Sequence, residues 1–306
     1  MNFNLLAIVV PYYKLSFFDA TLASLSIQTN MHFKVYIGDD ASTESPHNLL
    51  EKYKGKFDFE YHRFPQNKGA VSLVQQWERC IDMVAEEEWI MILGDDDTVG
   101  YNCVASFYEH IEEVEQQKIN VIRYATVVID QNDTKISIVH THPKYETSVD
   151  FLMRKFKGGT RSSLSEFVFK KDVFLEIKFK NFPLAWHSDI LAVLEVSVFG
   201  LIYTINEGVV SFRWSGENIT SREDNLVLKN ISTFQFYYYL LDKKNEFFNS
   251  EQIIVLRERL EKTFLDNKRK IEFWRLFTKL YITNFYIKSY LLFFHKMGIV
   301  ILNKIK

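Results

Sequence analysis

Acidic residues crowd two turns of this sequence. Gly38-Asp39-Asp40-Ala41-Ser42 closes the strand-like run Lys34–Ile37, and Gly94-Asp95-Asp96-Asp97 closes the apolar run Trp89–Leu93. Three consecutive carboxylates repel one another, and crowding raises their proton affinity unless a cation compensates. A hard divalent ion, Mg²⁺ or Mn²⁺, takes one or two carboxylates together with waters and phosphate oxygens. A diphosphate substrate would supply those oxygens, and the ion would stabilise charge on a departing diphosphate. Aspartates in a turn also serve simply to cap the next helix. Two clusters, each at the end of a strand, favour the metal. The same placement serves phosphatases and nucleotidyltransferases, so it does not by itself choose the reaction.

The elements that must position these turns alternate. Leu5–Val10 is a continuous apolar run, as expected of a strand buried on both faces. Ser16 reads as an N-cap with Asp19 as its capping-box partner. Ser45-Pro46 reads as a second helix start, with proline at its first position. Phe59–Phe64 is a short third strand, and Ala70, Val74, Trp77, Ile81 and Val84 mark the buried stripe of a long helix. A helix through Val104, Tyr108, Ile111 and Val114 precedes a strand at Val121–Ile129. Strands separated by helices imply right-handed crossovers. The expected fold is therefore α/β, with a mainly parallel, Rossmann-like sheet flanked by helices. In such sheets ligands bind at the carboxyl ends of the strands, where the acidic turns lie. Helices are expected near 148–156, 171–177 and 188–199, and strands near 164–169, 201–205 and 208–214. From about residue 224 the pattern is helical, giving a C-terminal extension.

Composition narrows the class. The chain has 306 residues, is 47% hydrophobic and carries a net charge of -2, which excludes wholesale disorder and gives no footprint of nucleic-acid binding. Residues 262–306 nevertheless carry a net +8, so the rest of the chain sums to -10. The tail from Lys268 interleaves Lys and Arg with Phe, Trp, Tyr, Leu and Ile. That composition fits a helix lying in a membrane interface and held by anionic lipids. The alternative is a helix packed on the protein, its lysine stems covering apolar surface. No stretch of 18 residues is free of charge, so no transmembrane helix is expected. The N-terminal residues read as a core strand rather than a signal peptide. Cys80 and Cys103 read as reduced core thiols, which suits a cytoplasmic location.

Several of these stretches carry a resemblance. Ile8-Val9-Val10-Pro11-Tyr12-Tyr13, then Ser24-Leu25-Ser26-Ile27-Gln28-Thr29, then Val35-Tyr36-Ile37-Gly38-Asp39-Asp40-Ala41-Ser42-Thr43 resemble the opening of the family 2 glycosyltransferases. Asn67-Lys68-Gly69 and Glu88-Trp89-Ile90-Met91-Ile92-Leu93-Gly94-Asp95-Asp96-Asp97 resemble that family's next motifs, so the match spans roughly residues 3–130. The resemblance implies the A-type glycosyltransferase fold and an inverting, metal-dependent, hexosyltransferase-type enzyme. Such an enzyme would move a sugar from a nucleoside-diphosphate donor, UDP-linked in many members, to an acceptor hydroxyl of a carbohydrate or lipid-linked molecule in cell-surface polysaccharide or glycolipid synthesis.

The implied roles fall on individual positions. Pro11 and Tyr12 would border the nucleobase, and Asp40 would accept a hydrogen bond from it. Asp95 would approach the ribose or phosphate. Asp96 would coordinate Mn²⁺ or Mg²⁺ with Asp97 supporting. Gly94 stands where the first Asp of the commonest form lies, so the metal rests on Asp96. Trp186-His187-Ser188-Asp189-Ile190-Leu191 fits the place of the acidic catalytic base, and Asp189 would take the acceptor proton. Its alternative is a first-turn charge favoured by the helix dipole. Phe212-Arg213-Trp214-Ser215 carries serine where many relatives have histidine. Arg213 and Arg222 are candidates for the diphosphate, and Trp186 and Trp214 for an acceptor sugar. His187 reads as a partly exposed loop residue. Arg154, Lys155, Lys157 and Arg161 around Gly158-Gly159 read as a mobile loop, a donor lid. Residues 1–222 would form the catalytic domain, divided into a nucleotide-binding half at 1–130 and an acceptor half at 131–222. Residues 223–306 would be helical, with 268–306 at the inner face of the cell membrane.

Two other readings remain. A metal-dependent nucleotidyltransferase would want a glycine-rich phosphate loop after strand one, where Tyr12-Tyr13-Lys14-Leu15 stands. A non-catalytic nucleotide-sugar-binding scaffold is at odds with the presence of Asp40, Asp96 and Asp189.

Overall fold

The computed structural model describes residues 5–216, 219–285, 288 and 290–295. Two compact units divide the chain, Met1–Asp224 and Asn225–Lys306. In the first, the elements run β1 (Leu6–Tyr12), α1 (Phe18–Ser26), β2 (Phe33–Asp39), α2 (His47–Tyr53), β3 (Asp58–Arg63), α3 (Leu73–Ile81), β4 (Trp89–Ile92) and β5 (Thr98–Val99). They continue with α4 (Cys103–Gln116), β6 (Val121–Ile129), β7 (Tyr145–Thr147), α5 (Ser148–Phe156), β8 (Phe167–Lys170), α6 (Lys171–Ile177), α7 (Ser188–Val196) and β9 (Leu201–Arg213).

These strands make one sheet in the order β3-β2-β1-β4-β8-β6-β9-β5, with β7 on β9. The expected α/β fold is therefore present. β1 pairs in parallel with both β2 and β4, and β2 with β3, so three apolar strands end on one edge. β8 then enters antiparallel between β4 and β6, while β6 and β9 form a long parallel ladder. β1 and β4 are buried on both faces, which is why they read as unbroken apolar runs rather than alternating ones. Cys80 and Cys103 are free and buried.

Local differences have physical causes. α1 begins at Phe18 without a side-chain cap, because Asp19 is taken by Lys52 and the Tyr53 hydroxyl on α2. Pro46 sits at the N-cap of α2, one position before the expected site. α3 is shorter than its stripe implied: Ser72 caps it by accepting from the Gln75 N–H, which leaves Ala70 in the preceding turn. The two strands expected at 201–205 and 208–214 are one strand, β9, whose register against β6 shifts between Tyr124 and Ala125. The β6, α5 and α6 boundaries coincide with the sequence reading.

The second unit consists of α8 (Leu226–Lys243), α9 (Ser250–Asp266) and α10 (Ile271–Asn284). Its core is aromatic. Phe277 of α10 stacks on Phe264 of α9 with centroids 4.2 Å apart, and Phe273 meets Phe234 of α8 edge-on at 4.4 Å. Tyr281 donates to Glu261. The aromatic side of α10 is thus turned into its own unit. Ile271, Ile282, Leu291 and Leu292 lie on the exposed side. Among the described residues no helix is long and apolar enough to cross a membrane. Tyr286, Ile287, Ser289 and residues 296–306 of the expected membrane segment lie outside the described residues.

Candidate active site

A cavity of about 630 Å³ opens at the carboxyl ends of β1, β2 and β4. It brings together Pro11, Tyr12, Asp40, Asp95, Asp96, Asp97, Trp186 and Asp189, which the sequence places far apart. Arg213 and Trp214 are not among its walls.

The floor is a set of carboxylates, most of them held by main-chain N–H groups. Asp39 is fully buried and accepts from the Ser42 N–H, the Tyr61 hydroxyl and Arg63, so it fixes the first acidic turn. Asp40 accepts from the Lys68 and Gly69 N–H groups at 2.7 and 2.8 Å and from Arg79. A Cβ on Gly69 would lie 2.5 Å from an Asp40 oxygen, so only glycine lets that turn approach the carboxylate. Tyr12 is fully buried, its ring against Phe18 and its hydroxyl donating to the Glu44 carbonyl. The exposed aromatic at this strand end is Tyr13, at 43%. Tyr12 and Tyr13 both line the cavity, and Tyr13 presents the more exposed ring.

The second acidic turn divides its work. One Asp95 oxygen accepts from the Tyr13 and Lys14 N–H groups at 2.7 and 3.0 Å, tying the turn to the end of β1. Asp97 accepts from the Ser165 hydroxyl at 2.6 Å and the Arg213 N–H at 2.8 Å. Asp96 accepts from no other residue's donor among the described residues, and its carboxyl is pushed up to about 8, first by burial and then by Asp97 and Asp95. Burial raises Asp95 to about 6 against the pull of its two N–H partners. Gly94 makes room for this arrangement, since a Cβ there would lie 3.0 Å from Asp96 Oδ1 and 3.1 Å from Asp97 Oδ2.

Arg213 has a different task from the expected diphosphate contact. It is fully buried, and its guanidinium donates to the Asp96 and Asp130 carbonyls and to Asp133. It braces the acidic turn from behind. Trp214 is 45% exposed, away from the cavity. Ser215 and Arg222 do line it, and Arg222 is paired with Asp224.

Asp189 stands in the first turn of α7, after a strained approach. Leu184, Ala185 and His187 hold φ of 60°, 52° and 72°. Left-handed conformations in non-glycine residues cost on the order of 1 kcal/mol or more and cluster at functional sites. They seat Trp186 and Asp189 in the cavity wall. Burial raises the Asp189 pKa, and the Lys155 ammonium partly opposes the rise. Burial first, and Lys155 second, push His187 down to about 3, so it is neutral at ordinary pH.

The segment read as a mobile loop is pinned. Arg154 pairs with Glu146, and Arg123 donates to the Arg161 carbonyl while forming a fully buried pair with Glu166. Lys155, Arg161, Ser163 and Ser165 from this segment line the cavity. Ser165 escaped the sequence reading, because a lone serine gives no signal until the fold sets it against Asp97.

The donor set suits a small divalent ion in one manner only. Among the described residues no three His, Cys, Asp or Glu side chains form a group that could hold a metal. Mg²⁺ and Mn²⁺ bind through one or two carboxylates plus phosphate oxygens and water. Asp96, desolvated and accepting no hydrogen bond from a neighbouring side chain, fits that description.

Residues 7–172 match the model of the family described as glycosyl transferase family 2. Glycosyltransferase GlyG of Streptococcus pneumoniae serotype 4 is 22% identical over 190 residues, covering 58% of this chain and 60% of its own length. The chain thus spans about three fifths of that curated relative. S. aureus TarS 1-349, solved in complex with UDP-GlcNAc, superposes with a TM-score of 0.61 at 16% identity, over 85% of this chain and 72% of that one. GalNAc-T7, solved with UDP, GalNAc and Mn²⁺, gives 0.52 at 11% identity, over 88% and 57%. These two likenesses establish the A-type glycosyltransferase fold.

The raised carboxyls set a pH dependence. An acid whose folded pKa lies above its unfolded one stabilises the fold fully at low pH, and that contribution is lost as pH rises through the folded value. In EDTA the wild type should lose stability as pH rises from the ordinary carboxylate range, through Asp95 up to about pH 6 and through Asp96 up to about pH 8. Asp96→Asn removes the second loss. Thermal melts in EDTA at pH 6 and pH 9 should show the wild type falling further than the variant by about 2 °C or more. Parallel pH profiles would show that Asp96 is not held in a desolvated site.

Proposed function

The chain belongs to glycosyl transferase family 2, and on that premise we propose that it moves a sugar from a UDP-linked donor onto an acceptor hydroxyl with inversion at the anomeric carbon. The observation that carries this reading is the pairing, in one cavity, of Asp96 on the acidic turn with Asp189 in the wall formed by α7. The first is suited to a cation and the second to a proton. TarS was solved with UDP-GlcNAc and GalNAc-T7 with UDP, GalNAc and Mn²⁺, which supports a UDP donor and a divalent ion here.

The residue roles follow. Pro11 and Tyr13 flank the nucleobase. Asp40, a carboxylate with about four lone-pair sites, retains capacity to accept an N–H from the base after its protein bonds are made. Asp95 fixes the turn through one oxygen and turns the other to the ribose or phosphate. Asp96 would hold Mn²⁺ or Mg²⁺, and Asp97 orients the turn. The bound ion supplies charge neutralisation for the departing diphosphate. Asp189 takes the proton from the acceptor hydroxyl as that oxygen bonds to the anomeric carbon and the bond to the diphosphate breaks. Its raised pKa makes it a stronger base than an ordinary carboxylate. Trp186 offers a ring to the acceptor sugar.

We assign catalysis to residues 1–222, with the donor half at 1–130 and the acceptor half at 131–222. The acceptor class is a carbohydrate or lipid-linked molecule for surface polysaccharide or glycolipid. The membrane proposal narrows to the exposed side of the tail, where Ile271, Ile282, Leu291 and Leu292 accompany the exposed Arg275, Lys279 and Lys288. Wild type should sediment with anionic vesicles and Ile271→Asp/Ile282→Asp should not. Equal sedimentation would remove the membrane from the account.

Two substitutions test the division of labour. Asp96→Ala should abolish the Mn²⁺-dependent part of UDP binding with little change in melting temperature at neutral pH. Asp189→Asn should keep UDP affinity and lower turnover by roughly 10²-fold or more, the scale of a lost general base. Mn²⁺-dependent binding that survives the first, or parallel loss of binding and turnover in the second, would contradict the roles given.

A further inference from the structure

The wall that carries Asp189 also holds two cations with spare capacity. Lys155, in the last turn of α5, lines the cavity, and its ammonium donates to no protein acceptor among the described residues. Arg161, six residues on, also lines it. Its guanidinium lies over the Phe212 ring at 4.3 Å and donates from one nitrogen to Thr126 Oγ1 at 3.1 Å, leaving most of its N–H groups unused among the described residues. Both side chains are half-buried and they repel each other. Burial lowers the pKa of both. Asp189 and Glu166 beside Lys155, and Glu166 and Asp97 beside Arg161, offset only part of that burial cost. Two desolvated positive charges in one wall are costly until an anion arrives.

We propose that Lys155 and Arg161 form an anion subsite that grips the diphosphate of the nucleotide-sugar donor; the assignment rests on the donor reading above. Position favours the donor over an anionic acceptor. Arg161 lies within electrostatic reach of Asp97 on the acidic turn, and Lys155 within reach of Asp189, so the pair borders the space between nucleotide and base. Chemistry favours it as well. Asp95 and Asp97 are already engaged by protein donors, so a cation at this turn finds few protein ligands beyond Asp96 and more of the diphosphate charge falls to side chains. The subsite is also preorganised. Phe212 holds the Arg161 plane and Arg123 holds its carbonyl at 2.7 Å, so little ordering remains to be done on binding.

Calorimetric titration with UDP and with uridine, each in Mn²⁺ and in EDTA, decides the matter. Lys155→Met keeps the stem and removes the charge; Arg161→Lys keeps the charge and removes the fork. Wild type should retain measurable UDP binding in EDTA. Lys155→Met should weaken UDP by roughly tenfold or more in both conditions, the scale of one lost charge-assisted hydrogen bond. Uridine affinity should not change. Arg161→Lys should fall between the two, with melting temperatures confirming intact folds; should it unfold, Lys155→Met alone decides. Unchanged UDP affinity in Lys155→Met overturns the subsite, as does an equal loss for uridine. Unchanged UDP affinity with a raised acceptor KM would overturn it in favour of an acceptor anion. A wild type that binds no UDP in Mn²⁺ would instead sink the donor reading from which the subsite was argued.

Discussion

Three adjacent carboxylates, set at a strand end in a largely desolvated turn, are the constraint around which this molecule is arranged. Their mutual repulsion has to be met residue by residue, and the structure does so unevenly. Asp95 is satisfied by two N–H groups at the end of β1. Asp97 is satisfied by Ser165 and the Arg213 main chain, and the Arg213 guanidinium steadies the Asp96 carbonyl. Asp96 is left, its carboxyl driven up to about 8. A site that satisfies two of three like charges and leaves the third supports the proposal of a cation at Asp96. The strand order, the antiparallel insertion of β8 and the bulged β6–β9 ladder matter functionally because they deliver Tyr13, Ser165 and Arg213 to that one turn.

A buried ion pair holds the neighbouring segment 160–166. Arg123 and Glu166 are 1% and 0% exposed at their side chains and 2.7 Å apart. Such a pair adds little net stability over an apolar replacement, but breaking it strands a charge. Its value is positional. Through the Arg161 carbonyl and Ser163 it fixes the segment from which Arg161 and Ser165 reach the cavity. Site and scaffold are therefore coupled through short polar bridges rather than through the apolar core.

Much of this was legible in the sequence wherever one segment carried its own signal. Apolar runs ending in acidic turns gave the strands and the site edge, and β6, α5 and α6 fell where their periodicity put them. What stayed hidden depended on partners distant in the chain. Asp19 looked like a capping partner but is engaged by α2. Arg213 looked like a ligand contact because nothing local shows that Asp130 and Asp133 fold over it. Tyr12 and Tyr13 are indistinguishable by type, and only strand pairing decides which ring is buried. The tail illustrates the same limit. An amphipathic, aromatic-basic helix has the same pattern whether its apolar side meets lipid or Phe234 and Phe264, and here that side meets its own unit.

The central claim is that bond cleavage occurs at the anomeric carbon, driven by a cation at Asp96 and a base at Asp189. It is tested most directly by the products of a UDP-sugar incubated with the protein, Mn²⁺ and a carbohydrate acceptor, or water alone. The account requires UDP as the nucleotide product and a sugar of inverted anomeric configuration when the reaction is followed by proton NMR. Release of UMP with a sugar phosphate would place attack at phosphorus and contradict the account. A product of retained configuration would contradict the single displacement assigned to Asp189.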